Sequence, residues 1–245
     1  MDENVLVLRE RFEKVLHDYQ ISEAGRLLLN NLKLLLLAGP SGSGRNTVME
    51  RLIKSGAYHK IVSDTTRKPR INDGKKEVNG ETYWFRSEQE ILSDLQNGEF
   101  LEAEIIHDQQ VSGISLRELA VAKKAHKIAV TDIEIGGFNN IISHKPDTIG
   151  VIMLPPSFEV WLKRLSIRGD MPEAELLNRL RTGQRIFREA VSESPARIVI
   201  NDDIEQAVNE VNGIALGKNK RDNPKGLSVA RKLLERTEAF LAANG

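Results

Sequence analysis

The chain has 245 residues, 40% of them hydrophobic and 29% charged, and its 35 basic and 35 acidic residues balance to a formal net charge of zero. That balance leaves no overall electrostatic pull toward nucleic acid or an anionic membrane, so any such partner would need a local patch. The lack of cysteine excludes disulfides, thiolate zinc sites and cysteine nucleophiles. No apolar run is long enough to span a bilayer and Met1-Asp-Glu-Asn4 is acidic, so a cytoplasmic setting is expected.

Leu8, Phe12, Val15, Leu16 and Tyr19 recur at helical spacing, and the stretch from Ile21 to Asn31 predicts a second short helix. Together they read as a helical N-terminal extension. From Lys33 onward short β-rich runs alternate with amphipathic helical ones: KLLLLAG, HKIVSD, KIAVTD, TIGVIML and ARIVIN. The alternation predicts an α/β fold, a parallel sheet with helices on both faces. Between Ser63 and Ser115 the rhythm breaks into EVNGETYWF and EFLEAEII, which reads as a small β-rich insertion. Ser87 with Glu90, and Ser115 with Glu118, have the spacing of capping boxes at two helix starts. Past Gly217, the polar, basic run from Lys218 to Gly226 reads as a linker. A last helix follows, with Ala230, Leu233, Leu234, Thr237, Phe240 and Leu241 on one face. The apolar faces of both terminal extensions require cover from the core, from each other or from a second copy or protein partner.

Gly39-Pro-Ser-Gly-Ser-Gly-Arg-Asn-Thr47 follows the strand candidate KLLLLAG and reads as a phosphate-binding loop. In the pattern G-x-x-x-x-G-K-[ST], glycines let backbone N–H groups converge on phosphate, Lys reaches the outer phosphates and a hydroxyl meets Mg²⁺. Here the glycine frame stands, but Arg45 replaces the Lys and Asn46 the Ser or Thr. Ser41, Gly42, Ser43 and Gly44 would cradle phosphate through the main chain, which survives both replacements. Arg45 keeps the charge on a longer, planar, forked group. Asn46 offers Mg²⁺ a carbonyl oxygen at a different reach, while the Thr47 hydroxyl lies roughly 100° further round the helix. Asp132, at the end of KIAVTD, reads either as a group that holds Mg²⁺ or orients the loop helix, or as an N-cap for the helix after it.

The order of motifs from about Lys33 to Gly217 resembles the guanylate kinase family: GPSGSG at Gly39 to Gly44, SDTTRKPR at Ser63 to Arg70, GETYWF at Gly80 to Phe85, GEFLE at Gly98 to Glu102. It continues with DIE at Asp132 to Glu134, PPS at Pro155 to Ser157, Arg164 to Gly169, Asn178 to Leu180, and Asn201 to Asp203. The resemblance implies a core sheet, a GMP-binding insertion over about residues 63–115 and a helical lid over about 164–190. These lie within a domain of residues 33–217, flanked by extensions at 1–32 and 218–245. It further implies ATP-dependent phosphoryl transfer to GMP or dGMP, with ATP as donor and Mg²⁺ as cofactor. Ser63, Arg67, Arg70 and Tyr83 match the positions that hold the GMP phosphate, two guanidinium forks binding it bidentately. Glu102 matches the reader of the guanine N–H edge, and Glu134 stands where a second guanine contact, usually Asp, is found. Arg164, Arg168 and Arg179 match lid arginines, which with Arg45 would neutralise charge on the transferring group. Asn201 matches a position beside adenine.

Four positions depart from the family pattern: Arg45, Asn46, Ser112 and Ile114. Ser112 stands for a tyrosine that contacts the GMP phosphate and Ile114 for a hydroxyl that contacts guanine, unless Ser115 takes that place by a register shift of one. These departures leave a second reading open, a lapsed kinase that binds nucleotide or a protein partner. ADP formation from ATP and GMP would separate the two.

Overall fold

The structure, a computed structural model, describes residues 5–72, 74–106, 108–166, 171–192, 195–218 and 223–244. The elements run α1 (Arg9–His17), α2 (Glu23–Leu29), β1 (Leu34–Ala38), α3 (Arg45–Lys54), β2 (Tyr58–Lys60), β3 (Asp64–Thr65), β4 (Ile71–Asn72), β5 (Lys75–Lys76), β6 (Trp84–Phe85) and α4 (Glu88–Gln96). They continue as β7 (Phe100–Ile106), β8 (Gln110–Ser115), α5 (Leu116–Lys124), β9 (Ile128–Asp132), α6 (Ile135–His144), β10 (Ile149–Leu154), α7 (Phe158–Ser166), α8 (Glu173–Val191), β11 (Arg197–Ile200), α9 (Ile204–Ala215) and α10 (Pro224–Asn244). The chain forms two compact units. One comprises residues 1–33, 59–129 and 140–146, the other 34–58, 130–139 and 147–245.

The first unit carries a four-stranded sheet of order β6-β3-β8-β7, with β3 parallel to β6 and antiparallel to β8, and a β4-β5 hairpin. Two of its strands are two residues long, too short to bury much surface, so the unit depends on helical cover. That cover includes α1, whose buried Phe12 joins Ile91, Leu92 and Leu95 of α4 and Phe100 of β7 in one apolar cluster. The Tyr19 hydroxyl donates to the Phe100 carbonyl at 2.7 Å and accepts its N–H at 2.8 Å. The Glu88 carboxylate accepts the Leu8 N–H at 2.7 Å. Helix α2 starts on Ser22, whose hydroxyl accepts the Gly25 N–H at 3.1 Å. It ends on Lys123, whose ammonium donates to the carbonyls of Leu27, Leu28 and Asn30, satisfying groups that a helix end leaves open.

The second unit carries three parallel strands in the order β11-β10-β1. All five residues of β1 are buried, as a continuous apolar strand covered on both faces requires. Helix α10 begins two residues earlier than the end of the expected linker, because Asn223 caps it, accepting the Gly226 N–H at 2.8 Å, and Pro224 suits a first helical position. It packs on α8, β11 and α7, with ion pairs Arg188 to Glu238 at 2.8 Å and Arg236 to Glu159 at 2.9 Å at its edge. The apolar faces of α1 and α10 therefore each find cover inside their own unit. No described helix is long and apolar enough to cross a membrane.

One expected capping box forms and the other does not. Ser87 and Glu90 exchange both bonds. Ser115 is instead the buried last residue of β8, and Glu118 turns inward to bond Val62 and Trp84.

Candidate active site

In the second unit, β1 delivers the chain at Gly39 into the glycine-rich turn, and α3 leaves it at Arg45. Gly44 has φ +91° and caps α3. A Cβ there would be strained and would run into the Asn201 amide. The first α-type bond of the helix runs from the Val48 N–H to the Gly44 carbonyl at 3.1 Å, and the Ser43 N–H donates to the Pro40 carbonyl at 3.0 Å, so the N–H groups that a helix start leaves for an anion are those of its own first turn. Two side chains hold the loop from outside. Trp161 of α7 donates its indole N–H to the Ser41 carbonyl at 2.8 Å, and Asn201 donates its amide to the Ser43 carbonyl at 2.8 Å. Arg164 in turn donates to the Asn201 carbonyl at 2.9 Å.

A cavity of about 360 Å³ opens beside the loop, lined among others by Gly39, Ser41, Arg45, Glu134, Glu175 and Arg179. Arg179 pairs with Glu175 through Nη2, while its Nη1 is buried and without a hydrogen-bond partner. A buried, unsatisfied donor on a cationic group is costly, and the side chain that carries it lines the cavity. A second cavity of about 440 Å³ is lined by Gly42, Gly44, Thr47, Arg164, Asn201 and Asp202. Asn201, expected beside adenine, is thus both a wall of this space and an anchor of the loop. Glu134 lies against the phosphate-loop cavity, and Arg168 lies outside the described residues.

The resemblance assigns Mg²⁺ to Asn46 and Asp132. Both line a cavity of about 120 Å³ at the start of α3, and their oxygens are of the kind Mg²⁺ accepts. Asp132 is not a helix cap, since α6 begins at Ile135, but its carboxylate stands 3.7 Å from the Arg45 guanidinium. No cluster of three or more His, Asp or Glu able to hold an ion occurs among the described residues. The donor set suits an ion already coordinated by nucleotide phosphates, the usual habit of Mg²⁺.

In the first unit, Arg67 departs from the expected free fork. Its Nη1 and Nη2 donate to both oxygens of Glu77 at 2.5 and 2.7 Å, and Nη1 also reaches the Lys68 carbonyl at 3.0 Å. The pairing holds the Glu77 carboxyl below the usual carboxylate range. Three of five guanidinium donors are thus committed, and a phosphate would meet the other two, on Nε and Nη2. The guanidinium also stacks 4.7 Å from the Tyr83 ring. Arg70 is exposed and Ser63 half-buried, and the Arg70 N–H donates to Glu77 at 2.8 Å.

Glu102 lies on β7, 8% exposed. Burial, and then the charge of Glu104, push its pKa up to about 8 against the pull of the Ile114 N–H. The strand register pairs Glu102 with Ile114 and Glu104 with Ser112, which puts these four on one face. Ser115 falls two residues from Gly113, the partner of Asp64, on the opposite face, where its buried hydroxyl has no hydrogen-bond partner. Across a register irregularity between Phe100 and Glu102, Ser115 pairs with Phe100, and the residue opposite Glu102 is Ile114. The shortened Ser112 bonds Thr65 at 2.8 Å.

Sequence reading missed Glu77, Trp161 and Glu118, whose roles arise from long-range or buried contacts. The profile of the family described as Guanylate kinase matches residues 31–216. The guanylate kinase of Corynebacterium diphtheriae is 34% identical over 188 residues, covering 76% of this chain and 95% of that one. The guanylate kinase of Helicobacter pylori (strain 26695) is 32% identical over 212 residues, covering 86% and 92%. The crystal structure of guanylate kinase from Anaplasma phagocytophilum aligns with a TM-score of 0.55 over 84% of this chain and 94% of that one, at 22% identity, and shares the fold. A family match over most of the chain, relatives above 30% identity and an anchored phosphate loop agree: the chain belongs to the guanylate kinase family.

Proposed function

We propose that the protein transfers the γ-phosphoryl group of ATP to GMP or dGMP, giving ADP and the nucleoside diphosphate. A phosphate oxygen of GMP attacks the γ-phosphorus as the bond to the ADP oxygen breaks. Positioning and charge neutralisation carry such transfers, and the protein forms no covalent bond. The observation that carries the reading is the phosphate loop itself, pinned by Trp161 and Asn201, with Arg45 and Arg179 lining one cavity beside it.

On the donor side, the N–H groups of the loop and α3 hold the β-phosphate region, and Arg45, Arg164 and Arg179 neutralise the charge that develops. Asp132 and Asn46 would hold Mg²⁺ beside the nucleotide phosphates, where it supplies further neutralisation. On the acceptor side, Ser63, Arg67, Arg70 and Tyr83 take the GMP phosphate and Glu102 the guanine N–H edge. A cytoplasmic setting accompanies this reading, since ATP is the donor. A coupled ADP-release assay with ATP and GMP tests it. ADP formation that depends on GMP is the expected result, and no release above background with GMP, dGMP or other monophosphates would overturn it.

A further inference from the structure

Glu118 occupies a position on α5 that packs inward at 6% exposure, where an apolar residue would cost less. Both its oxygens are used: Oε1 accepts the Trp84 indole N–H at 2.9 Å and Oε2 accepts the Val62 backbone N–H at 3.2 Å. His59 Nε2 lies 3.8 Å from Oε2. Val62 immediately precedes Ser63 and Trp84 immediately follows Tyr83, the two hydroxyl residues placed at the acceptor phosphate. The two segments are joined directly, since the Trp84 N–H donates to the Ser63 carbonyl at 2.9 Å.

Their own strands give them little rigidity. β3 and β6 pair over two residues each, Asp64 with Trp84 and Thr65 with Phe85, and β6 is an edge strand. What fixes the indole is lateral: Glu118 at its N–H and the Arg117 guanidinium 5.0 Å from its ring centre, itself paired with the buried Asp64 at 3.0 Å. We propose that Glu118 is a positioning residue for the acceptor phosphate, one carboxylate that sets the spacing of the Ser63 and Tyr83 hydroxyls through Val62 and Trp84. It touches no substrate atom, and the proposal rests on the functional reading above for the identity of the ligand.

The test uses the full chain and four proteins: wild type, Glu118→Gln, Trp84→Phe and the double variant. Gln keeps the volume but turns an NH₂ toward one of the two N–H groups, so one anchoring bond is lost. The expected result for Glu118→Gln is a rise of roughly 5- to 20-fold in KM and calorimetric Kd for GMP, with kcat and the KM for ATP within about twofold. Trp84→Phe, which removes the indole N–H, should give part of that loss. The double variant should lose no more than Glu118→Gln alone, because with the indole N–H gone the single oxygen of Gln suffices for the Val62 N–H. GMP affinity unchanged in Glu118→Gln and in Trp84→Phe, additive losses, or parallel losses for ATP and GMP with a lowered melting temperature would each overturn the positioning role. A wild type that binds ATP but not GMP would sink the functional reading itself, an outcome read before any variant is compared.

Discussion

Glu102 must lose a proton to do the work assigned to it, and this makes GMP binding pH-dependent where an exposed carboxylate would not. Guanine offers N–H donors along one edge, and only the ionised carboxylate accepts from two of them at once. In the free protein burial raises the Glu102 pKa from 4.5 to about 8. At pH 7, about one unit below, roughly one molecule in eleven is ionised, so GMP should bind about tenfold more weakly than at the alkaline plateau. The logarithm of the association constant should climb with a slope approaching one per pH unit from about pH 6.5 and flatten past about pH 8. The second ionisation of a phosphate monoester, near pKa ~6, lies below that window. Calorimetry at pH 7 in two buffers of different ionisation enthalpy should show close to one proton released per GMP bound. Glu102→Gln should bind more weakly at the plateau and lose the pH dependence. A wild type whose affinity is flat across the window, with no proton released, would refute the reasoning.

The same group acts on stability with a definite sign. A carboxyl raised from 4.5 to about 8 means that the folded chain holds more protons than the unfolded one between those values. Its contribution to stability is therefore full below the lower value, declines through the window and is flat above about pH 8, by at most about 5 kcal/mol. In the absence of GMP, Glu102→Gln should consequently melt higher than wild type at alkaline pH, although it binds GMP less well.

Restoring the usual loop residues, Arg45→Lys with Asn46→Ser, should raise kcat by about tenfold and increase its response to Mg²⁺, because it frees Asp132 from the guanidinium 3.7 Å away; a fall in the coupled assay would contradict the role given to these side chains. Gly44→Ala forces a side chain onto φ +91° against the Asn201 amide and should cost about 1–3 kcal/mol in chemical denaturation, together with ATP affinity; an unchanged unfolding midpoint would count against the anchored loop. Ile114→Ser, on the Glu102 face of β8, should improve the preference for GMP over AMP in kcat/KM by about tenfold at some cost in stability, and an unchanged ratio would show that this position does not face the base.

The core strands, the phosphate loop and the helical cover were legible in the sequence because each is a local pattern: an apolar run, a glycine spacing, a period of 3.6. What was not legible depended on which partner a polar side chain chose. Arg67 reads as a free phosphate fork, yet a carboxylate ten residues on takes its end, and no spacing rule marks such a pair. Glu118 has the spacing of a capping box, but the box competes with the Val62 and Trp84 N–H donors, which its two oxygens satisfy instead. Likewise Ser115 resembles a displaced base contact until the alternation of β8 sets it beside Asp64.

The phosphate loop shows why two substitutions at its chemical positions leave its shape intact. Its Ser41 and Ser43 carbonyls are held by Trp161 and Asn201, neither of which is an altered position. The main-chain course of the loop is thus held by residues more than a hundred positions away, while Arg45 and Asn46 are the side chains proposed to meet the outer phosphates and the metal. Binding and turnover are in this way carried by separable groups. A change at Arg45 is expected to act chiefly on kcat, and a change at Gly44 chiefly on whether nucleotide binds at all.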